Sequence, residues 1–193
     1  MAIILKDEKK NKTAKYVAEA GTVQAVCYAV WDLGNQENTW EGTTTIKHQV
    51  MFAWEIDQLI DDPENEDYNG KRLVLNKKYK LSGWKDAPLV KDLSAWRKKA
   101  YTADELLDGF DIESFVGQSC LLNISVNEKG YGKVEQVSPL MKGMKAMTPE
   151  NNTEPPAWVL KQQSEQIFEE VEAEDSIATT GNIPSDTQSD LPF

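Results

Sequence analysis

The chain is poor in the residues from which most catalytic and metal centres are built. Among its 193 residues are one histidine, His48, and two cysteines, Cys27 and Cys120. A multi-histidine metal centre is therefore excluded, and a Ser-His-Asp triad has little to work with. The two cysteines lie far apart, each inside an apolar strand-like run. They exclude a disulfide scaffold and a Cys-rich zinc site, and read as small core residues. No apolar run approaches the roughly 18 residues of a membrane span, and the first residues (MAIILKDEKKNK) lack the apolar region of a signal peptide. These absences predict a cytoplasmic, reduced protein. Glycine-rich phosphate loops and nucleophile elbows are missing too. The acidic stretch 61–70 holds Asp61, Asp62, Glu64, Glu66 and Asp67 without the ligand spacing of an EF-hand, and reads as a solvated loop. The expectation is a protein that is not an enzyme and that holds no metal or cofactor.

Apolar and aromatic residues are plentiful. With 40% hydrophobic residues, six Trp, six Tyr and five Phe, the chain can build a real core. Its charge is unevenly spread. Residues 148–193 carry ten acids against Lys161 alone, or −9, which leaves −2 for residues 1–147 out of the formal −11. A pI near 4.6 argues against a nucleic-acid partner only while the average hides this asymmetry.

The body reads as short strands. Residues 22–33 alternate, with Val23, Ala25, Cys27, Ala29, Trp31 and Leu33 on one face and Gln24, Tyr28 and Asp32 on the other, until Gly34-Asn35-Gln36 breaks the run. Residues 43–56 place Ile46, His48, Val50, Phe52, Trp54 and Ile56 together, opposite Lys47, Gln49, Met51, Ala53 and Glu55. Residues 72–82 place Leu73, Leu75, Tyr79 and Leu81 together, opposite Asn76, Lys78 and Lys80. A helical interlude follows. Pro88 suits a first turn, Leu89, Leu93 and Trp96 recur at helical spacing, and Arg97, Lys98 and Lys99 complement the helix C-terminus, with phosphate contact as their other reading. Thr102 and Glu105 form a capping box for a second short helix ending near Gly109. Strands resume at 119–127 and 131–137 around a turn at Glu128-Lys129-Gly130. Trp31, Trp54 and Trp96 are expected in the core, and His48 as a satisfied buried or rim residue.

Three strands, a helical segment and a two-stranded hairpin suggest a mostly β domain over residues 1–147. That order resembles the OB-fold, a five-stranded Greek-key barrel with a helical insertion between strands 3 and 4, which commonly binds oligonucleotides on strands 2–3 and the loops between strands 1 and 2 and strands 4 and 5. From Thr148 the composition changes. Residues 148–157 read as a linker, and Pro155-Pro156 can open a short amphipathic helix reaching about Val171. Residues 172–193 lack periodicity and large apolar side chains and read as a disordered acidic tail. The last four residues, Asp190-Leu191-Pro192-Phe193, return to apolar character. Phe193 can fill a small pocket while its carboxylate pairs with a cation, and Pro192 lowers the cost of ordering the tip.

The tip is similar to that of bacterial single-stranded DNA-binding proteins, which end in acids followed by Ile/Leu-Pro-Phe. The body resembles phage single-stranded DNA-binding proteins in Gly21-Thr22-Val23-Gln24-Ala25, Trp31-Asp32-Leu33-Gly34, Trp40-Glu41-Gly42 and Phe52-Ala53-Trp54-Glu55-Ile56. Further matches are Asp92-Leu93-Ser94-Ala95-Trp96-Arg97, Gly109-Phe110-Asp111 and Val137-Ser138-Pro139-Leu140. The resemblance covers roughly residues 15–160 and the tip. One departure is that a single acid precedes Leu191, with Asp186 next upstream, where the family carries a dense acidic run. The resemblance implies a protein, in the host cytoplasm if phage-encoded, that binds and protects single-stranded DNA in phage replication, recombination or repair. It further implies recruitment of phage or host proteins through Asp190, Leu191, Pro192 and Phe193, and an oligomer is compatible with it.

Single-strand binding needs aromatic platforms for bases and cations for phosphates. The residues a barrel would expose for this are Trp40 in the first loop, Lys47 on strand 2, and Lys78 and Lys80 on strand 3. Lys77, Trp84 and Lys85 extend that surface, and Tyr131 lies near the last hairpin. An edge strand guarded by lysines is the structural alternative for this segment. The functional alternative is an adaptor of a phage replication or recombination complex that never touches DNA, which the weak charge of the body favours.

Overall fold

The computed structural model of the chain describes residues 15–161 and residue 163. The tail read as disordered, most of the helix read up to about Val171, and the Asp190–Phe193 tip lie outside the described residues.

Five strands form one antiparallel, open sheet in the order β3-β2-β1-β4-β5, from β1 (Gly21–Trp40), β2 (Thr43–Leu59), β3 (Arg72–Lys80), β4 (Ser119–Val126) and β5 (Gly132–Pro139). Between β3 and β4 lie helices α1 (Pro88–Trp96) and α2 (Ala103–Asp108) and a 3₁₀ turn at Glu113–Phe115. The strand count, the helical interlude and the last hairpin are as the sequence predicts. Among the described residues no ladder joins the edge strands β3 and β5. They nevertheless meet: Lys77 Nζ donates to Glu135 O at 3.1 Å, and a Cβ at Gly132 would lie 3.1 Å from both Leu75 Cδ2 and Ala18 Cβ.

One face of the sheet builds the core. Ala25, Cys27, Val50, Phe52, Trp54, Ile56, Leu73, Leu75, Tyr79, Cys120, Leu122, Ile124, Val134 and Val137 pack with Leu89, Leu93 and Trp96 of α1 and with Phe115. Pro88 opens α1 and its apolar stripe faces inward, as its spacing requires. Thr102 Oγ1 accepts from Glu105 N–H while Glu105 Oε2 accepts from Thr102 N–H, so the capping box is present. Burial lifts the Cys27 thiol to about 12 and raises that of Cys120 further, which makes both inert core residues.

Two β-bulges correct the strand reading. Cys27 pairs with Trp54 but Ala29 with Ala53, so Tyr28 is an extra residue and the facing parity of β1 flips there. Ala25 and Cys27 face the core, whereas Ala29 and Trp31 face the other side. Trp31 is buried, but outside the core cluster to which Trp54 and Trp96 belong. The second bulge, at Leu33, carries β1 through Gly34-Asn35-Gln36 instead of ending it. Residues 34–48 consequently form a two-stranded ribbon beyond the sheet, closed by Glu41-Gly42 with φ of 49° and 79°. That is the positive-φ pair of a tight hairpin whose twist matches its strands. Ile46 and His48, expected on the apolar face of β2, lie on this ribbon and are exposed. His48 Nε2 sits 2.7 Å from Asp32 Oδ1.

The other face of the sheet is half covered. After β5 the chain doubles back as a strap over 140–155, the stretch whose later part reads as a linker. Gln24 Nε2 donates to Lys145 O, Met147 N–H to Ser119 Oγ, and Trp31 Nε1 to Thr153 O. At its centre, Glu55 is fully buried. Its carboxylate accepts from Glu150 N–H, Asn151 N–H, Asn151 Nδ2 and Arg72 Nη1 at 2.6–3.2 Å. Arg72 also donates to Thr148 O and pairs with Glu150. A buried carboxylate is tolerable only with this degree of saturation. From 157 the chain turns helical just after Pro155-Pro156.

Candidate nucleic-acid interface

Register sorts the predicted site residues along the outer face of the sheet beyond the strap's hydrogen bonds. Lys78 pairs with Met51 and Lys80 with Gln49, and Lys47 lies two residues from Gln49 along β2. With a side-chain period of two, Lys47, Lys78 and Lys80 stand on one face, opposite the core. Lys78 and Lys80 are exposed and Lys47 is half-buried. Lys47 and Lys80 have no carboxylate partner among the described residues.

Lys77 is not part of this face. It shares its side of β3 with Leu75 and Tyr79, and its ammonium lies 2.8 Å from Asp92 Oδ2 on α1 and 5.0 Å from the Tyr79 ring centroid. Tyr79 donates to the same Asp92 oxygen, and burial, reinforced by that carboxylate, pushes its phenol far above the ordinary range. Lys77 therefore joins α1 to the sheet. A run of neighbouring lysines in sequence necessarily splits between the two faces of a strand.

The remaining predicted residues lie off the lysine face. Trp84 and Lys85 follow β3 directly, and Trp84 is 65% exposed. Tyr131, exposed on the turn between β4 and β5, lines a cleft of ≈ 340 Å³ with Tyr16, Val74 and Asn76. Trp40 closes the ribbon ladder opposite Thr43 and is not a loop residue. The lysine face is thus bounded by the ribbon at one end of β3 and by the Tyr131 turn at the other.

The acidic loop 61–70 is organised by protein contacts. Tyr16 Oη donates to Asp62 Oδ2 at 2.8 Å, Lys15 Nζ lies 3.1 Å from that oxygen, and both hold the Asp62 carboxyl below its usual range. No cluster of metal-ligating side chains occurs among the described residues, and no helix there is long and apolar enough to cross a membrane.

The residues that the sequence reading missed are Glu55, Arg72, Asn151 and Asp92. One signal was available for the first. The run Val50–Ile56 is almost continuously apolar, the mark of a strand covered on both faces, and Glu55 interrupts it. Comparison of the chain with protein-family models, with characterised proteins and with solved structures finds no match.

Proposed function

We propose that the chain binds single-stranded DNA on the open half of the sheet's outer face, as a stoichiometric binder and not an enzyme. The observation that carries this reading is the convergence of Lys47, Lys78 and Lys80 on one face between the ribbon and the Tyr131 turn. Lysines spaced along two strands meet successive phosphates, and the exposed rings of Trp84 and Tyr131 offer base-stacking platforms. The strand order supports an OB-type Greek-key barrel left open along the β3–β5 seam, with α1 at its base. On this reading the tip Asp190–Phe193 recruits phage or host replication and recombination proteins at the end of an acidic tether.

The test is a titration of the full chain with labelled oligo(dT), following anisotropy and tryptophan fluorescence at two salt concentrations. Quenching and a salt-sensitive affinity, absent for duplex DNA, are expected. No binding at low salt, by the full chain or by a form lacking residues 172–193, overturns the reading.

The adaptor alternative draws on a specific observation: Lys15, Lys77, Lys91 and Lys133 each lie within 3.9 Å of a carboxylate, which leaves fewer of the body's cations for phosphates. An adaptor would keep its partner affinity when Lys78 and Lys80 are reversed to glutamate, whereas a DNA binder would not keep its oligonucleotide.

A further inference from the structure

The C-terminal end of α1 contains a backbone conformation that its residue does not favour. Lys98 has φ 61°, the left-handed region in which a side chain is strained and glycine is at ease. The turn around it is a Schellman closure: Lys98 N–H donates to Ala95 O and Lys99 N–H to Ser94 O, both at 3.1 Å. Glycine is the common residue at such a position, so a lysine there raises the question of what its side chain does.

Arg97 makes the loop rigid. Its Nε donates to Lys99 O at 2.8 Å and its Nη2 to Ala100 O at 3.0 Å, while Nη2 also reaches both oxygens of Glu105 and the guanidinium lies 3.6 Å from the Tyr101 ring centroid. The Arg97 charge is thereby spent on Glu105. Those of Lys98 and Lys99 are not: both are exposed, and among the described residues neither pairs with a carboxylate. Lys98 Nζ instead donates to a neutral acceptor, Leu140 O, at 3.2 Å. Leu140 begins the strap, which next presents Lys142 and Lys145, also exposed and without a carboxylate partner among the described residues. The hydrogen bond from Lys98 to Leu140 thus fastens together two segments carrying four ammonium groups. From there the strap runs past Gln24 and Ser119 to Trp31, whose rung partner Met51 neighbours Lys78.

We propose that Lys98, Lys99, Lys142 and Lys145 form a second phosphate-binding station, reached by a single strand that leaves the sheet face and follows the strap to the end of α1. The inference rests on the reading of the chain as a single-strand binder and extends its footprint. None of these four residues is aromatic, so the station grips the backbone of the strand by charge and adds affinity without base preference.

The position of Lys98 makes the test sharp, because stability and binding should move in opposite directions. The full chain, the Lys98→Gly variant and a Lys142→Ala/Lys145→Ala variant are titrated with an oligo(dT) length series at several salt concentrations, and their melting is followed. Lys98→Gly should raise the melting temperature by about 2 °C, since relief of the strain outweighs loss of the exposed Lys98–Leu140 hydrogen bond. It should also weaken binding of long oligonucleotides several-fold while short ones bind as before. For each phosphate that is no longer neutralised, the slope of log affinity against log salt should fall by about 0.7. The double variant should lose long-oligonucleotide affinity in the same way. Unchanged affinity and salt slope in both variants, while wild type binds and a Lys78→Glu/Lys80→Glu variant does not, overturns the station and leaves the sheet-face reading standing. Absence of binding by wild type removes both.

Discussion

The two halves of the sheet's outer face are built from the same strands and put to opposite uses. Toward Glu55 and Val26 the face is sealed by the strap, and a carboxylate is saturated by two backbone amides, an asparagine amide and an arginine. Toward Gln49 and Lys80 the same face carries Lys47, Gln49, Lys78 and Lys80, of which Lys78 and Lys80 are exposed and Lys47 and Gln49 half-buried among the described residues. The division falls near the Trp31–Met51 rung, where Trp31 Nε1 holds Thr153. A side chain's face is set by parity, but its role is set by position along the strand relative to what lies above it. Glu55 and Lys47 stand on one face of one strand, yet the first holds the fold together and the second is exposed enough to meet a ligand.

The largest effect that would break this contrast is expected in the sealed half. Glu55→Ala leaves the Glu150 and Asn151 amides without their acceptor, deprives Arg72 of one of its three, and should cost about 3 kcal/mol, read by urea unfolding. Where both forms are folded, oligonucleotide affinity should stay close to wild type. Reversal in the open half should do the opposite. Lys78→Glu with Lys80→Glu should weaken oligo(dT) binding at least about tenfold, or about 1.4 kcal/mol, with a stability change within about 0.5 kcal/mol.

A smaller effect provides a reference away from both halves. Thr102→Ala removes one arm of the capping box and should cost about 1 kcal/mol in thermal unfolding, without touching binding. The smallest contribution is pH-dependent and comes from the same helix. Arg97, and then the Thr102 amide, hold the Glu105 carboxyl at about 2, below its ordinary 4.5. Its folded value is depressed, so its contribution is present above about pH 4.5 and is lost as pH falls toward about 2. Glu105→Gln should flatten that part of an acid-unfolding profile, and an unaltered profile would contradict the assignment.

Much of the scaffold was legible because it is written in side chains. The alternation of β2 and β3, Pro88 ahead of Leu89, Leu93 and Trp96, and the Thr102/Glu105 pair each carry a local signal that the fold obeys. What was not legible is carried by the backbone or by single-residue slips. The bulge at Tyr28 adds one residue to β1 and turns Trp31 away from the core, and no composition announces it. The strap resembles a linker because it holds on chiefly through its amides and carbonyls at Lys145, Met147, Thr148, Glu150, Asn151 and Thr153. On the candidate face, Lys47, Lys78 and Lys80 were found from alternation. Lys77 falls on the opposite face because parity, and not the local density of lysines, decides which side of a strand a side chain takes.

The measurement that bears most directly on the division of the outer face is amide hydrogen exchange of the full chain with and without saturating oligo(dT). Added protection is expected over residues 45–51 and 76–80, with residues 53–55 unchanged because they lie beneath the strap and residues 150–151 unchanged because their amides are already held by Glu55. Protection confined to the strap and its strands, with none along Lys47, Lys78 and Lys80, would contradict it.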